Sequence, residues 1–489
     1  MVRSRVAIIG LDGMSWDVLM HYLEQLPCLR NIISRSFLGL LKCIPPLTPP
    51  SWTSILTGVK PQKHGILSFV KYKTCRENVH YRFYTSLDVK APRLSEILAI
   101  NGFFSLVINC PISYPLSGWY LERQIIVYDI SSPKEFICPS VYERYLKYFK
   151  YIHALKARSN IEFLEQTCKL LELRTEGIEM LLEETNPDVL VLIVSETDTI
   201  MHRVPVIPAG KYVKSFLKIL EVIDELLKIV AKKFDVIILV SDHGLRLFLK
   251  GLNISKVISD VESIKPVHLR KVLLSLLSTN MVTGLIHYAL LTNIWTYKLA
   301  YKFRSFIRKF TGKRAVKRDR RIQRIRPDPI DAADAMILYF SSNQTMTTTT
   351  ERLKYTLGKY IIEMQTIRNS DDLYAVYIVP QEGLYLNLDP LHSVNRWDIL
   401  WFPSARHTIY GIFAWYEKGL IEKPTYIGVL NNTDVLPTIL ARLGLPIPSY
   451  TDGKVIALPT ISKQVAGQVD YRLIRKLKMI RHKMLYRVQ

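Results

Sequence analysis

None of the six cysteines, Cys28, Cys43, Cys75, Cys110, Cys138 and Cys168, stands in a C-x-x-C pair. That excludes a zinc knuckle or dithiol redox site of the usual spacing and leaves most of them as small buried hydrophobes. The chain is also short of acid: 43 Asp and Glu face 66 Lys and Arg, a formal charge of +23 at pH 7. Such a balance favours an anionic partner, whether phosphate ester, anionic lipid or nucleic acid. No low-complexity tract is long enough to imply extended disorder. The opening MVRSRVAIIGLDG holds only a short apolar run before Asp12, too brief for the apolar region of a signal peptide, and no small-residue cleavage site follows. The expectation is a cytoplasmic protein.

Several short β-branched runs end abruptly in polar residues: RVAIIGLDG, FFSLVINC, DVLVLIVSETD and DVIILVSDHG. Unbroken apolar runs of this length suit strands buried on both faces, as in a parallel sheet covered by helices. Helical periodicities lie between them, at Ile161 to Glu184 and Tyr212 to Lys232. The alternation predicts a doubly wound α/β core, a mostly parallel sheet between helical layers.

Four segments are expected. Residues 1–250 form the first part of the core, 251–330 a helical basic insertion, 331–463 the remainder of the core and 464–489 a basic amphipathic tail. The insertion combines an uncharged apolar stretch, Val272 to Tyr297, with 12 Lys or Arg against one Asp between Lys302 and Arg326. The apolar stretch contains Ser, Thr, Asn and His287, which argues against membrane insertion and for packed or interfacial helices. RPDPIDAAD reads as a linker back to the core, and a later helix stops at Gly444.

In α/β sheets ligands gather beyond the carboxyl ends of strands, so the polar residues just after the apolar runs come first in the search for a site. Asp12 ends the first run, Asp198 and His202 follow the third, Asp242 and His243 end the fourth, and His407 lies in SARHTIYGIFAW. Three aspartates and three histidines suit Zn²⁺ or Mn²⁺ better than Ca²⁺. Six ligands exceed one zinc's need, whereas two adjacent divalent ions would use them all. Thr48 sits between two proline pairs in PPLTPPSWTSILTG. A threonine hydroxyl becomes a nucleophile only when activated, and metal coordination is one way. Pro49 and Pro50 suit the first turn of a helix beginning near Ser51, so Thr48 would face a helix N-terminus whose dipole and free N–H groups favour phosphate. Plainer readings remain at each position: Asp12 as a turn former, Asp242 and His243 as a cap and a satisfied histidine, Thr48 as a helix cap. For His64, packing is the expected role.

The segments GLDGMSWD, TPPSWTSILTGVKPQKHGI, ETDTIMH, SDHG, RHTIYGIFAW and DVLPTILARLGLPIPSYTDGKVI run in one order from residue 6 to about residue 456. In that order they resemble the type I phosphodiesterase and nucleotide pyrophosphatase group of the alkaline phosphatase superfamily. The resemblance implies an alkaline-phosphatase-like fold and a two-metal phosphoesterase. Asp12, Thr48, Asp242 and His243 would surround one ion, with Thr48 the nucleophile that forms a phospho-enzyme, and Asp198, His202 and His407 would hold the other. Ser51 stands where nucleotide pyrophosphatases carry an asparagine that helps to hold the phosphoryl oxygen, and is taken as a substrate-binding candidate. No cysteine lies in the C-x-P-x-R segment of sulfatases. A phosphotransferase or phosphomutase of the superfamily is the alternative activity, and a non-catalytic protein binding anionic membrane or nucleic acid the alternative of another class.

In the tail, Leu473, Ile474, Leu477, Ile480 and Met484 recur at helical spacing among Arg472, Arg475, Lys476, Lys478, Arg481 and Lys483. This pattern suits an interfacial helix. It adds peripheral association with anionic membrane to the expectation, and a lipid head group to the small-molecule phosphate esters expected as substrates; nucleic acid is the less favoured anion.

Overall fold

The computed structural model describes residues 4–75, 78–116, 122–151, 157–204, 212–253, 325–327, 336–340, 342–368, 374–381, 384–387, 400–461 and 467–486. The apolar stretch of the expected insertion and its basic stretch up to Arg324 lie outside the described residues, as does the RPDPIDAAD linker from Asp328 onward.

The main sheet is built from β1 (Val6–Leu11), β2 (Ser36–Lys42), β3 (Ser105–Ile108), β4 (Gln124–Val127), β5 (Ile137–Cys138), β6 (Val189–Val194), β7 (Val236–Val240), β8 (Tyr410–Glu417) and β9 (Thr425–Asn431). Their order across it is β9-β2-β8-β7-β1-β6-β3-β4-β5. The four apolar runs of the sequence are β1, β3, β6 and β7, adjacent and parallel, with Val6 level with Val189 on one side and Val236 on the other. Every residue of these four strands is buried, which is why they carry no polar alternation. Only β8 and the edge strand β5 run against the rest. The fold class read from the sequence is the one found.

Helices α1 (Thr48–Thr57), α2 (Asn160–Thr185), α3 (Glu196–Arg203) and α4 (Val213–Lys233) follow β2, β5, β6 and α3 in the chain. Helices α2 and α4 coincide with the two long periodicities and pack on each other. One hydrophobic core joins their buried faces to the sheet. Helix α1 starts at Thr48, three residues earlier than expected, with Pro49 and Pro50 inside its first turn and Gly58 closing it at φ +67°. Proline costs nothing there because first-turn N–H groups have no intrahelical acceptor.

Against β1, α1 packs so closely that a Cβ on Gly10 would lie 2.4 Å from Cη2 of Trp52. Since Trp52 is 1 % exposed and cannot swing aside, Gly10→Ala is expected to cost about 1–3 kcal/mol, read as a lowered denaturant midpoint.

Among the described residues, the chain leaves the main sheet after β7 and returns at β8. Between them, a strand at Gly244–Asn253 pairs with Leu384–Asn387 on one side and Leu400–Thr408 on the other. A separate antiparallel sheet joins Ile325–Pro327, Met336–Phe340, Tyr374–Pro380 and Ile361–Arg368, with its own apolar cluster around Leu338, Phe340, Leu353 and Val376. Thus Gly251 and Arg326, expected at the two ends of the insertion, lie in β-structure, and much of the expected core remainder builds this second sheet instead. Among the described cysteines, Cys43 and Cys110 are buried, and Cys28, Cys138 and Cys168 half-buried, all as free thiols. No described helix is long and apolar enough to cross a membrane.

Candidate active site

Strand ends and one long-range register assemble the site. Asp12 follows β1, Asp242 and His243 follow β7, and α3 carries Asp198 and His202 one turn apart just after β6. His407 arrives from far along the chain because Leu400–Thr408 pairs antiparallel with Gly244–Asn253, setting His407 opposite Leu245, two residues beyond His243. Thr48, the first residue of α1, places Oγ1 3.4 Å from Nε2 of His243. All seven residues singled out as ligands or nucleophile therefore come together.

Two groups of ligand atoms lie within 4.8 Å of one another: Asp198, His202 and His407, and Asp12, Asp198 and His243. The first reproduces the trio the resemblance implied. The second draws Asp198 into the other half, where Asp242 Oδ2 also stands 3.2 Å from His243 Nε2. Gly13, at φ +68°, makes this approach possible, since a Cβ there would sit 2.7 Å from Asp198 Oδ1.

The electrostatics of the bare cluster are unfavourable. Asp12 Oδ1, Asp198 Oδ1 and Asp242 Oδ2 are buried oxygens with no hydrogen bond among the described residues to offset their charge. Burial, then the charges of Asp242 and Asp198, raises Asp12 well above the usual carboxylate range. Burial and Asp198 push Asp242 up to about 7. Burial opposes ionisation of Asp198 too, but His202 and His407, with Nε2 atoms 3.3 and 3.4 Å away, hold it well below that range. Burial and His407 depress His243 well below an ordinary histidine.

The histidine tautomers are fixed from behind. Nδ1 of His407 is 2.9 Å from the Pro46 carbonyl and Nδ1 of His243 is 3.2 Å from that of Gly244. A carbonyl only accepts, so each Nδ1 carries a proton, and in the neutral ring each Nε2 then presents a lone pair to the cluster. His202 Nε2 stands 2.7 Å from His407 Nε2, a distance two lone pairs oppose and a shared cation or proton favours. Unbonded buried carboxylate oxygens beside imidazole lone pairs are a donor set that divalent cations fit.

Supporting contacts went unread in the sequence. Trp52 donates from Nε1 to Asp12 Oδ2 at 3.1 Å, and Thr197 Oγ1 donates to the Asp12 carbonyl at 2.5 Å. Trp52 stands four residues after Thr48, one turn along the same helix, which was the available signal. Behind α3, Glu196 meets Arg174 in a fully buried ion pair at 2.8 Å, with nothing in the sequence to join the two. Trp52→Phe removes the donor and leaves a small cavity where the larger indole packed, so it is expected to weaken cation affinity roughly 10- to 100-fold and also to lower the melting temperature, measured by metal titration alongside thermal melting.

Ser51 is fully buried. Its hydroxyl donates to the Asp242 carbonyl at 2.5 Å and accepts from Asn432 Nδ2 at 3.2 Å, so it ties α1 to the segment carrying Asp242. The helix end offers fewer donors than expected, because Pro49 and Pro50 lack N–H groups and Ser51 N is bonded to Leu47 O at 3.0 Å. His64 is fully buried outside the cluster, where burial, helped by Arg93, lowers it to about 3. Ile66 N donates to its Nδ1, so Nε2 donates to Ser54 of α1, 3.0 Å away.

The profile of the type I phosphodiesterase / nucleotide pyrophosphatase family matches residues 6–285. A comparison with characterised protein sequences returns no match. Among solved structures, phosphonoacetate hydrolase from Sinorhizobium meliloti 1021 in complex with phosphonoacetate aligns over 89% of this chain and 94% of its own, with TM-score 0.53 and 13% identity. An inactive form of murine ectonucleotide pyrophosphatase / phosphodiesterase 5 in complex with AMP aligns over 90% and 95%, with TM-score 0.51 and 14% identity. The human protein of that name gives 92% and 97%, 0.51 and 14%. At these identities the likeness to solved structures shows the alkaline-phosphatase-like fold. Because the family profile spans more than half of the chain, the protein belongs to the type I phosphodiesterase / nucleotide pyrophosphatase family of metal-dependent phosphoric ester hydrolases.

Proposed function

We propose that the protein is a phosphodiesterase that uses two divalent cations, zinc in the first place and manganese as the alternative, with Thr48 as nucleophile. The observation that carries this reading is the set of three buried, unbonded carboxylate oxygens facing histidine Nε2 lone pairs beside the Thr48 hydroxyl. Asp198, His202 and His407 would hold one ion. Asp12, Asp242 and His243 would hold the other, next to Thr48, with Asp198 between them. Bound there, the cations would neutralise the carboxylates, favour ionisation of the threonine hydroxyl and offset charge on the transferred phosphoryl group.

The chain's own residues then account for orientation. Thr48 is held at the start of a helix whose first turn is stiffened by Pro49 and Pro50, so its oxygen is placed without a search over backbone conformers. The Thr48 oxygen, its proton released to solvent, attacks phosphorus; the bond to the leaving oxygen breaks, that alkoxide takes up a proton, and the threonine is left esterified to the phosphoryl group with its remaining ester. Water then attacks the same phosphorus and gives up a proton, and the threonine oxygen leaves and regains one. Ser51 serves by fixing α1 against Asp242; both hydrogen bonds on its hydroxyl are to protein, which argues against a substrate contact. Two structural neighbours were captured with phosphonoacetate and with AMP, and both ligands fit a site for small phosphorus oxyanions. A small-molecule phosphate ester or a lipid head group belongs to the proposal as substrate, and peripheral association with an anionic membrane as its setting.

Purified protein stripped with chelator and reloaded with Zn²⁺ or Mn²⁺, offered phosphomonoesters, phosphodiesters, nucleotide diphosphates and phosphonates, tests the reading. Metal-dependent cleavage of a diester is expected. Failure to take up either metal, together with no turnover on any substrate, would leave a non-catalytic anion-binding protein as the better account.

A further inference from the structure

The carboxy-terminal helix α5 (Tyr471–Tyr486) is amphipathic in an unusual sense, because its apolar stripe points away from the protein. One face is fastened to the core. Tyr471 is 1 % exposed, donating its hydroxyl to Pro446 O and accepting from Asn101 Nδ2. Arg475 Nε stands 3.1 Å from Glu96 and Nη1 donates to Val89 O, while Ile474 packs against the main apolar core. Residues 471, 474 and 475 lie together on one side at about 100° per residue.

The opposite side carries Leu473, Leu477 and Ile480, exposed to 58%, 57% and 42%. At this spacing they form one stripe along the helix. Lys476 borders it on one flank and Arg481 on the other, both exposed. Adjacent Asp470 is engaged by Arg472 through a two-pronged ion pair. An aliphatic row between cationic margins, held rigidly by a docked back face, is the surface of an interfacial helix.

We infer that α5 docks this protein on an anionic lipid surface, with Leu473, Leu477 and Ile480 entering the head-group boundary and Lys476 and Arg481 meeting lipid phosphates. A second copy of the chain is a poor occupant: three side chains fall well short of the roughly 800 Å² per partner of a stable interface. A two-fold pairing through this stripe would also bring its cationic margins together. Nucleic acid would use the charge and leave the aliphatic row exposed. The inference is independent of the phosphoesterase reading, because docking is scored without turnover.

The test is co-sedimentation of the full-length chain with phosphatidylcholine vesicles with and without phosphatidylserine, at low and high salt. Three variants are compared: wild type, Leu473→Asn/Leu477→Asn/Ile480→Asn, and Lys476→Glu/Arg481→Glu. Wild type should bind the anionic vesicles with an affinity that falls with salt. Each variant should lose at least about tenfold while melting like wild type, since the altered side chains are exposed and each basic residue near such a surface is worth about fivefold. No binding by wild type, or undiminished binding by the aliphatic variant, would overturn the inference. So would a concentration-dependent dimer abolished by the aliphatic variant without vesicle binding, or displacement of vesicles by a mixed-sequence oligonucleotide.

Discussion

Thr48→Ala is expected to lower the turnover of a phosphodiester at least about 10³-fold while the protein stays folded and metal-loaded. The side chain is half-buried at the mouth of the cluster, so its loss opens no large cavity. Its Oγ1 stands 3.4 Å from His243 Nε2 and has no substitute on the helix: the next hydroxyl, Ser51, is tied to Asp242 and Asn432. Thr48→Ser retains the oxygen and should keep part of the rate. Steady-state kinetics with metal analysis of the same samples checks both statements, and unimpaired turnover in Thr48→Ala would end the assignment.

The second large effect concerns Asp198. Its carboxylate belongs to both candidate ligand groups, whereas His202 and His407 belong to one. Asp198→Asn, which keeps the volume and removes the charge, is therefore expected to reduce bound metal from two ions to less than one per chain, with at least about a 10³-fold loss of turnover. His407→Ala should leave one. The distinction rests on Gly13, whose missing Cβ lets Asp198 approach the Asp12 side of the cluster. Elemental analysis of the two variants separates the outcomes; equal metal content in both would show that Asp198 serves only one ion.

Much of this site could be read because the fold writes it at strand ends. An apolar run buried on both faces must stop where the strand meets solvent or ligand, so Asp12 and Asp242 stand out as the first charges after β1 and β7, and Asp198 as the second after β6, behind Glu196. His407 was harder to place. It follows no such run, and the antiparallel register that sets it opposite Leu245 is a long-range pairing that local pattern does not encode. The same limit hid the buried Arg174–Glu196 pair and the Asn432–Ser51 contact, each joining residues remote in the chain. Helix α1 begins three residues before the start that its prolines suggest, for a different reason. Paired prolines read as a boundary before a helix, yet they fit equally well inside its first turn, where their missing donors cost nothing. The strand at Ile325–Pro327 lies at the end of a basic run whose charge masked any strand signal.

A covalent threonine intermediate and direct attack by water differ in the handedness they leave at phosphorus. Two in-line displacements, first by Thr48 and then by water, restore the original configuration; a single displacement inverts it. The decisive measurement is the stereochemical course of hydrolysis of a phosphorothioate diester of known configuration in ¹⁸O-labelled water, with the metal-loaded wild-type chain. Net retention is the predicted result, and net inversion would contradict Thr48 as the nucleophile.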